Sequence, residues 1–503
     1  MNAHSILLLL ALQGQVEDPC LHESFPERIL LPFDTAQKGA TGIAMDRQGD
    51  LIALTQHTCG DIGPCPDKIR GWLFNCRNEP TREMFPLIGR ETERGSAIAK
   101  APNGDHFLVW GTGLGCLFGQ ALDREGQPVG EKRLLYPDTC PGPPWPDFYG
   151  PALAADNEGN YVAGWGAHEP SATSPVSFRF RKYDHTGNWL GHELLIRPDD
   201  YPAVIVARSE AVLRGIHASE NGDVLVMTLH GNTGDGPGPI LHSTLVVWRL
   251  NSELKRIAEP VIATTENRSS GGSPGMGVDA QGNFVVSWGF AGTEWIRAEG
   301  PVRDRIFAQR FTRAGERVGP EILVTGEPVS QFVEFDSSQV LMRADGAFLV
   351  LWGWKRRGVI MGQRFTAAGE RIGRRFQVNV SGPAFLRGVT GDRKDLWAVE
   401  YPIGSNSAGP GPHTVATRIL NFSAPDFIRG DANGVDPVDL SDAVFIVEYL
   451  FLAGPVPAVW QAADVNDDDA INVSDPIYLL THLFLGGPAP PHPYPIPAFV
   501  ATP

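Results

Sequence analysis

Several things are scarce in this sequence, and each scarcity excludes something. No cysteine follows Cys140. No apolar run approaches the ~18 residues that a membrane-spanning helix needs, so no membrane span is expected. Positive charge is in deficit, with 42 Lys and Arg against 58 Asp and Glu and a net charge of −16, which argues against nucleic acid as the principal partner. The deficit is uneven. From Asp426 onward there are 11 acidic residues, no lysine and one arginine, Arg429, so this stretch carries −10 of the total. Such a break marks a domain boundary near residues 422–430. What is plentiful is Gly (57) and Pro (42) in a chain that is 42% hydrophobic. That composition folds, and it suits many short strands joined by turns.

The N-terminus carries a seven-residue apolar run, Ile6 to Leu12, without a preceding Lys or Arg and without a clear small-residue cleavage site. Residues 1–15 are expected to act as a secretory signal. All six cysteines (Cys20, Cys59, Cys65, Cys76, Cys116, Cys140) lie in the first 140 residues. Their even number in loop-rich sequence suits disulfides and a secreted or cell-surface location. Six cysteines allow 15 pairings, and the spacing selects none of them.

Internal repetition sets the fold. GIAMDRQGDLIALTQ from Gly42, AIAKAPNGDHFLVWG from Ala97, ALAADNEGNYVAGWG from Ala152, GIHASENGDVLVMTLHG from Gly215, GMGVDAQGNFVVSWG from Gly275, VLMRADGAFLVLWGW from Val340 and GVTGDRKDLWAVEY from Gly388 are seven copies of one pattern. Each is a short strand, a turn of the D-x-x-G-[ND] kind, and a second strand, often ending in Trp (Trp110, Trp165, Trp288, Trp352). A second half-repeat lies between them, clearest in IFAQRFTRAGERVGPEILV from Ile306 and VIMGQRFTAAGERIGRRFQV from Val359. Together they make a unit of four antiparallel strands, which cannot bury both faces alone and must stack around an axis. The expected fold is all-β, a seven-bladed propeller over residues 27–425. Its last unit lacks a fourth strand. The orphan ERILLPFD from Glu27 supplies it, closing the ring with a strand near 28–33. In the turns, Asp is expected to accept backbone N–H groups and Gly to supply positive φ. The tryptophans are expected to pack between blades.

Residues 426–491 read differently. GDANGVDPVDLSDAVFIVEYLFLAGP and ADVNDDDAINVSDPIYLLTHLFLGGP are two copies of one loop–helix unit, 33 residues apart from Asp431 to Asp464. Each places side-chain oxygens at loop positions 1, 3, 9 and 12, and short Asp and Asn side chains at that spacing can wrap a hard cation. This stretch resembles type I dockerins, the paired EF-hand-like calcium modules of secreted bacterial proteins, over residues 428–491 and no further. The resemblance implies a small α-helical domain that binds Ca2+. Its ligands would be Asp464, Asn466, Asp468, the Ala470 carbonyl, Asn472 and Asp475 in loop two. In loop one they would be Asp431, Asn433, the Pro437 carbonyl, Asp439 and Asp442. It implies a cohesin-like protein partner, contacted by Leu440, Ser441, Val473 and Ser474. Loop one departs from the pattern, with Val435 at the fifth position and Asp436 where a turn glycine belongs. Loop two has Asp469 at that turn position. One confident site and one degenerate site are therefore expected. Residues 492–503 read as a Pro-rich tail.

Chemistry elsewhere is sparse. His57, His168 with Glu169, His230, Trp295 and Trp354 fall on segments expected to share one propeller face, and they form a possible ligand face for a glycan or protein. G-x-S-x-G at Gly271–Gly275 follows no apolar strand, so Ser273 is not a nucleophile of the elbow type. No catalytic residue is assigned. The expected function is that of a non-enzymatic binding protein with a tethering module. The alternatives are a carbohydrate-active enzyme, either a glycoside hydrolase or a polysaccharide lyase, and a structural envelope component.

Overall fold

The computed structural model describes residues 28–29, 37–57, 69–88, 92–137, 148–168, 176–202, 205, 210–233, 240–264, 273–290, 305–325, 335–354, 358–379, 383–403, 414–422, 426–491, 494 and 498–499, apart from positions 77, 113, 114, 393, 436, 458 and 469. Seven four-stranded antiparallel sheets follow in chain order, spanning 37–88, 92–136, 148–196, 210–262, 275–323, 335–377 and 388–421. The seventh takes its outer strand from the other end of the chain. Arg28–Ile29 pairs with Thr417 and Ala416 on the strand Thr414–Asn421. The ring is thus a seven-bladed propeller whose first and last segments share one blade.

Position in the blade explains each strand's composition. Second strands are covered on both faces by neighbouring blades, so they read as unbroken apolar runs. Phe348–Trp354 is buried at every residue. Outer strands face solvent, and Pro128–Tyr136 is exposed over most of its length. The buried apolar residues form clusters that each straddle a seam. One joins Phe107 and Val109 of blade 2 to Tyr161 and Trp165 of blade 3. Another joins Ile43 and Leu51 of blade 1 to Leu396 and Ile419 of blade 7. Trp110, Trp165, Trp288 and Trp352 are all buried in such seams.

Arginines reinforce the seams by donating to carbonyls of the next blade. Arg249 reaches Arg313 O (2.9 Å), Arg310 reaches Ala367 O (2.7 Å) and Arg364 reaches Phe422 O (2.7 Å). A glutamine marks the third strand of several units. Gln120, Gln309 and Gln363 each donate Nε2 to three carbonyls at the bulge between third and fourth strands. A bulge leaves carbonyls unpaired, and the amide satisfies them. The repeated turns work through Asp as well. Asp46, Asp156, Asp279 and Asp392 each accept from two backbone N–H groups, two and four residues on. In these turns Gly49, Gly159 and Gly282 have φ of 84°, 85° and 89°, which only glycine adopts without strain.

After the propeller come helices α1 (Leu440–Phe451), α2 (Trp460–Ala463) and α3 (Ser474–Leu485). A small core of Ala432, Ala443, Ile446, Ala463, Val465 and Leu479 holds α1 against α3. A two-strand ribbon pairs Asp426–Phe427 with Ala498–Phe499, so residues 498–499 of the Pro-rich tail return to the start of the domain.

Candidate functional site

The two loops before α1 and α3 are built alike. Asp439 caps α1, accepting from Ser441 N at 2.7 Å, and Asn472 accepts from Ser474 N at 2.8 Å. The twelfth-position carboxylates fold back into their loops. Asp442 accepts from Asn433 N (3.1 Å) and Asp439 N (2.9 Å), and Asp475 accepts from Val465 N (2.7 Å) and Asn472 N (2.8 Å). Asp431, Asp442, Asp464 and Asp475 are all buried. Burial raises the Asp442 carboxyl to about 6, against the pull of its backbone N–H donors. It raises Asp475 as well, helped by the nearby Asp468 charge. The turn falls at loop position four in both copies. Gly434 has φ of 74° and Asp467, a non-glycine, has φ of 61°. The positions expected to turn, Asp436 and Asp469, lie outside the described residues.

Among the described residues no three His, Cys, Asp or Glu side chains converge as metal ligands. The donor set nonetheless suits a hard cation. It is all oxygen, and four of its carboxylates, on Asp431, Asp442, Asp464 and Asp475, are buried away from bulk water. Asp431 Oδ1 has no hydrogen-bond partner at all. Asn466 Oδ1 and Asp468 Oδ1 are turned into loop two, each accepting a backbone N–H two residues on. Ala470 and Pro437 are exposed, and the Ala470 carbonyl accepts from Asn472 Nδ2 at 3.4 Å.

The residues implied for partner contact divide into two kinds. Leu440 and Val473 are 51% and 53% exposed. Ser441 and Ser474 accept at Oγ from Asn433 and Asn466 Nδ2, both at 2.8 Å, so they serve the loops too. The exposed face runs beyond these four. Val444, Val447 and Phe451 follow Leu440 along α1, and Ile477 and Phe484 follow Val473 along α3. The spacing of three and four residues lines up each set on one helix face. Every member of the second set lies 33 residues after its counterpart in the first. The signal was present in the sequence as apolar residues repeating at the same offset on a helix face beside the core.

On the propeller, the first strands line an axial channel of about 250 Å3. Its walls are apolar, including Ile43, Ile98, Ile216 and Leu341, and polar groups gather at the turn end. There Arg47 donates to Asn157 Oδ1 (2.5 Å) and Glu220 Oε1 (3.3 Å), joining blades 1, 3 and 4. Asp46 and Asp156 spend their second oxygens on Lys100 (3.1 Å) and Lys182 (2.8 Å). These turn carboxylates are structural. One carboxyl is not so employed. Glu400, behind the innermost strand of blade 7, is fully buried, and no side chain hydrogen-bonds either oxygen. Burial lifts it well above the usual carboxylate range, and the Gly42 N–H acts against this. Its position gave no signal in the sequence beyond a Glu in an apolar strand.

The expected ligand face is not assembled by the described residues. His230 is buried within the strand Val224–Thr233, where Nε2 meets Thr228 Oγ1 at 2.9 Å and the ring packs 4.6 Å from Tyr201. Burial lowers it to about 3. It is a neutral core histidine. Trp354 is also buried, at a seam between blades 5 and 6. His57 and His168 end second strands. Glu169 and Trp295 lie outside the described residues, as do Cys20, Cys59, Cys65 and Cys140. Cys76 and Cys116 are buried, and no described cysteine is a free thiol. Ser273 pairs its backbone with blade 6, with Ser338 N donating to its carbonyl at 2.8 Å, and sits in no elbow.

No family model matches the sequence, and no curated protein matches it. Solved structures similar to the chain are propeller-length matches. A protein of unknown function from Dyadobacter fermentans is 14% identical over 80% of this chain and 99% of its own, with a TM-score of 0.43. The GH93 α-L-arabinofuranosidase of Fusarium graminearum is 10% identical over 80% and 98%, with a TM-score of 0.44. A PL25 ulvan lyase is 11% identical over 79% and 96%, with a TM-score of 0.48. At these values the likeness extends to no substrate or reaction.

Proposed function

We propose that this chain is an extracellular, polysaccharide-directed propeller carried on a calcium-folded attachment module. The observation that supports the module is the duplicated apolar stripe. Leu440, Val444 and Phe451 on α1 repeat as Val473, Ile477 and Phe484 on α3, all exposed, while a separate core joins the two helices. A domain this small does not leave a second apolar face in water without a partner to cover it. The type I dockerin resemblance names that partner as a cohesin-type module, held through a calcium-ordered helix pair. Asp464, Asn466, Asp468, Asn472 and Asp475, with the Ala470 carbonyl, would hold the ion. The ion would neutralise buried carboxylates that now repel one another and so favour the folded loop. The test is surface binding of a panel of purified type I cohesin modules to the full chain with calcium, with EGTA, and with the Val444→Asp/Ile477→Asp variant. Binding that needs both calcium and the stripe supports the reading, and no binding to any panel member sinks it.

Tails of this type accompany hydrolases and lyases, which directs the propeller toward polysaccharide. One observation favours turnover over mere binding. Glu400, on the strand behind the channel wall, is a carboxyl that burial raises well above its usual range, the direction in which a general acid is tuned. The second reading is therefore a carbohydrate-active enzyme, a glycoside hydrolase or polysaccharide lyase. Reducing-end release and 235 nm absorbance across a polysaccharide panel decide between the two. Products lost in Glu400→Gln with binding retained mark the enzyme. Binding without products in the wild type marks the lectin-like protein.

A further inference from the structure

The two loops of the module differ in what reaches their first carboxylate. In loop two, Asp464 Oδ1 accepts from Asp468 N at 3.1 Å, and Arg429 of the module itself stands with Nη1 3.8 Å from Oδ2. That Nη1 donates to the Asp464 carbonyl at 2.5 Å, and Nη2 pairs with Asp467 at 2.6 Å. In loop one the cation comes from outside the module. Arg374, on the outer strand Arg371–Gln377 of blade 6, places Nη1 2.7 Å from Asp431 Oδ2 and Nη2 3.4 Å from Gly434 O. The Asp431 side chain is 4% exposed. The surrounding cleft is closed by Gly373, Phe427, Ile428, Val459 and Ala462, and the ribbon of Asp426–Phe427 with Ala498–Phe499 lies against the same blade strand. Loop one is also the copy with Val435, 63% exposed, where loop two has Asp468.

These differences point one way. Loop one has lost the fifth-position carboxylate and gained a guanidinium on its first. Calcium needs its oxygens at 2.3–2.6 Å from the ion, so it would have to displace Arg374 from Asp431 with one ligand fewer to offer. Guanidinium matches a carboxylate and a neighbouring carbonyl with directed N–H groups and asks for a single negative charge. We infer that loop one is a docking loop whose cation is the Arg374 guanidinium of blade 6. The arginine takes the charge-neutralising place of a metal ion and fastens the module to the propeller, and loop two is left as the exchangeable calcium site. The calcium half of this rests on the function proposed above. The docking half stands without it.

The test uses the full chain and two readouts. Hydrogen–deuterium exchange follows amides 427–434, in the docking loop, and 464–475, in loop two. Calorimetry counts calcium ions. For Arg374→Gln, exchange at 427–434 should rise at least tenfold with 464–475 unchanged. Asp431→Asn should do the same, and the double variant should be no worse than either single one. Arg374→Lys, which keeps the charge and loses the fork, should recover part of the protection and shows that the blade still folds. The wild type should bind one ion per chain. Unchanged exchange at 427–434 in Arg374→Gln overturns the docking loop, as does a wild type that binds two ions of similar affinity. A wild type that binds no ion removes the calcium reading alone, and exchange then decides the docking.

Discussion

Glu400→Gln isolates one proton. In the native ring the side chain is buried between Gly388 of blade 7 and the Gly42–Ile43 stretch of blade 1. An added Cβ on Gly388 would meet Ile43 Cγ2 at 2.9 Å and Glu400 Oε2 at 3.2 Å. No charged group contributes to the shift: burial raises the carboxyl and only the Gly42 N–H opposes it. The folded-state pKa is therefore above the unfolded value of about 4.3. The native chain keeps a proton that the unfolded chain releases, so stability falls as pH rises from about 4.3 to the folded pKa and is flat beyond it. One proton gives a slope of up to about 1.4 kcal/mol per pH unit within that window. Gln copies the neutral acid in shape and cannot ionise. Urea unfolding of both proteins at half-unit steps, with calcium held saturating, gives the difference directly. The variant should gain on the wild type as pH rises above about 4.3, the unfolded carboxyl's value. A difference that does not vary with pH, or one that favours the wild type as pH rises, refutes a neutral buried Glu400.

Other consequences follow from single contacts. Arg364→Met removes the donor to Phe422 O across the blade 6–7 seam and should lower stability by about 1.5–3 kcal/mol in urea unfolding, the worth of a charged hydrogen bond. Gly275→Ala would set a Cβ 2.5 Å from Gln339 Cα and 2.8 Å from Ser338 O. It should cost about 1–3 kcal/mol, and a neutral result would show that the innermost strands are not so close. In EGTA the module should melt higher at pH 5 than at pH 7.5, because Asp442, raised to about 6, and Asp475, also raised, hold protons when folded. Calcium should reverse that order, and helical circular dichroism reads both.

Much of the ring was legible because its physics is local and repeated. A turn-capping Asp in four units (Asp46, Asp156, Asp279, Asp392), a positive-φ Gly in six and an apolar strand in all seven keep one pattern, so counting units counted blades. The orphan strand at Arg28 was legible because the seventh unit lacked its partner. What the sequence did not carry depends on distance across the fold. His230 and Trp354 looked like loop-tip residues because polarity suggests exposure, yet the second strands run far enough to bury both. Glu400 looks unremarkable until its neighbours prove to be glycine and isoleucine. Arg374 sits 57 residues from Asp431, in a half-repeat whose other arginines tie blades together, and nothing in its spacing distinguishes the one that ties the module. In the tail, the duplicated loop–helix unit was legible from its 33-residue offset. The stripe was written there too, at the same 33-residue offset, but apolar residues on two faces of a helix read as a buried helix until exposure separates them.

The central claim is that loop two of the C-terminal module closes on calcium and loop one does not. Calorimetric titration of calcium into the EGTA-stripped full chain tests it most directly, beside Asp475→Asn. The account predicts one saturable ion per chain, with the heat abolished in the variant. A wild-type titration without heat, or one whose heat survives in Asp475→Asn, would contradict it.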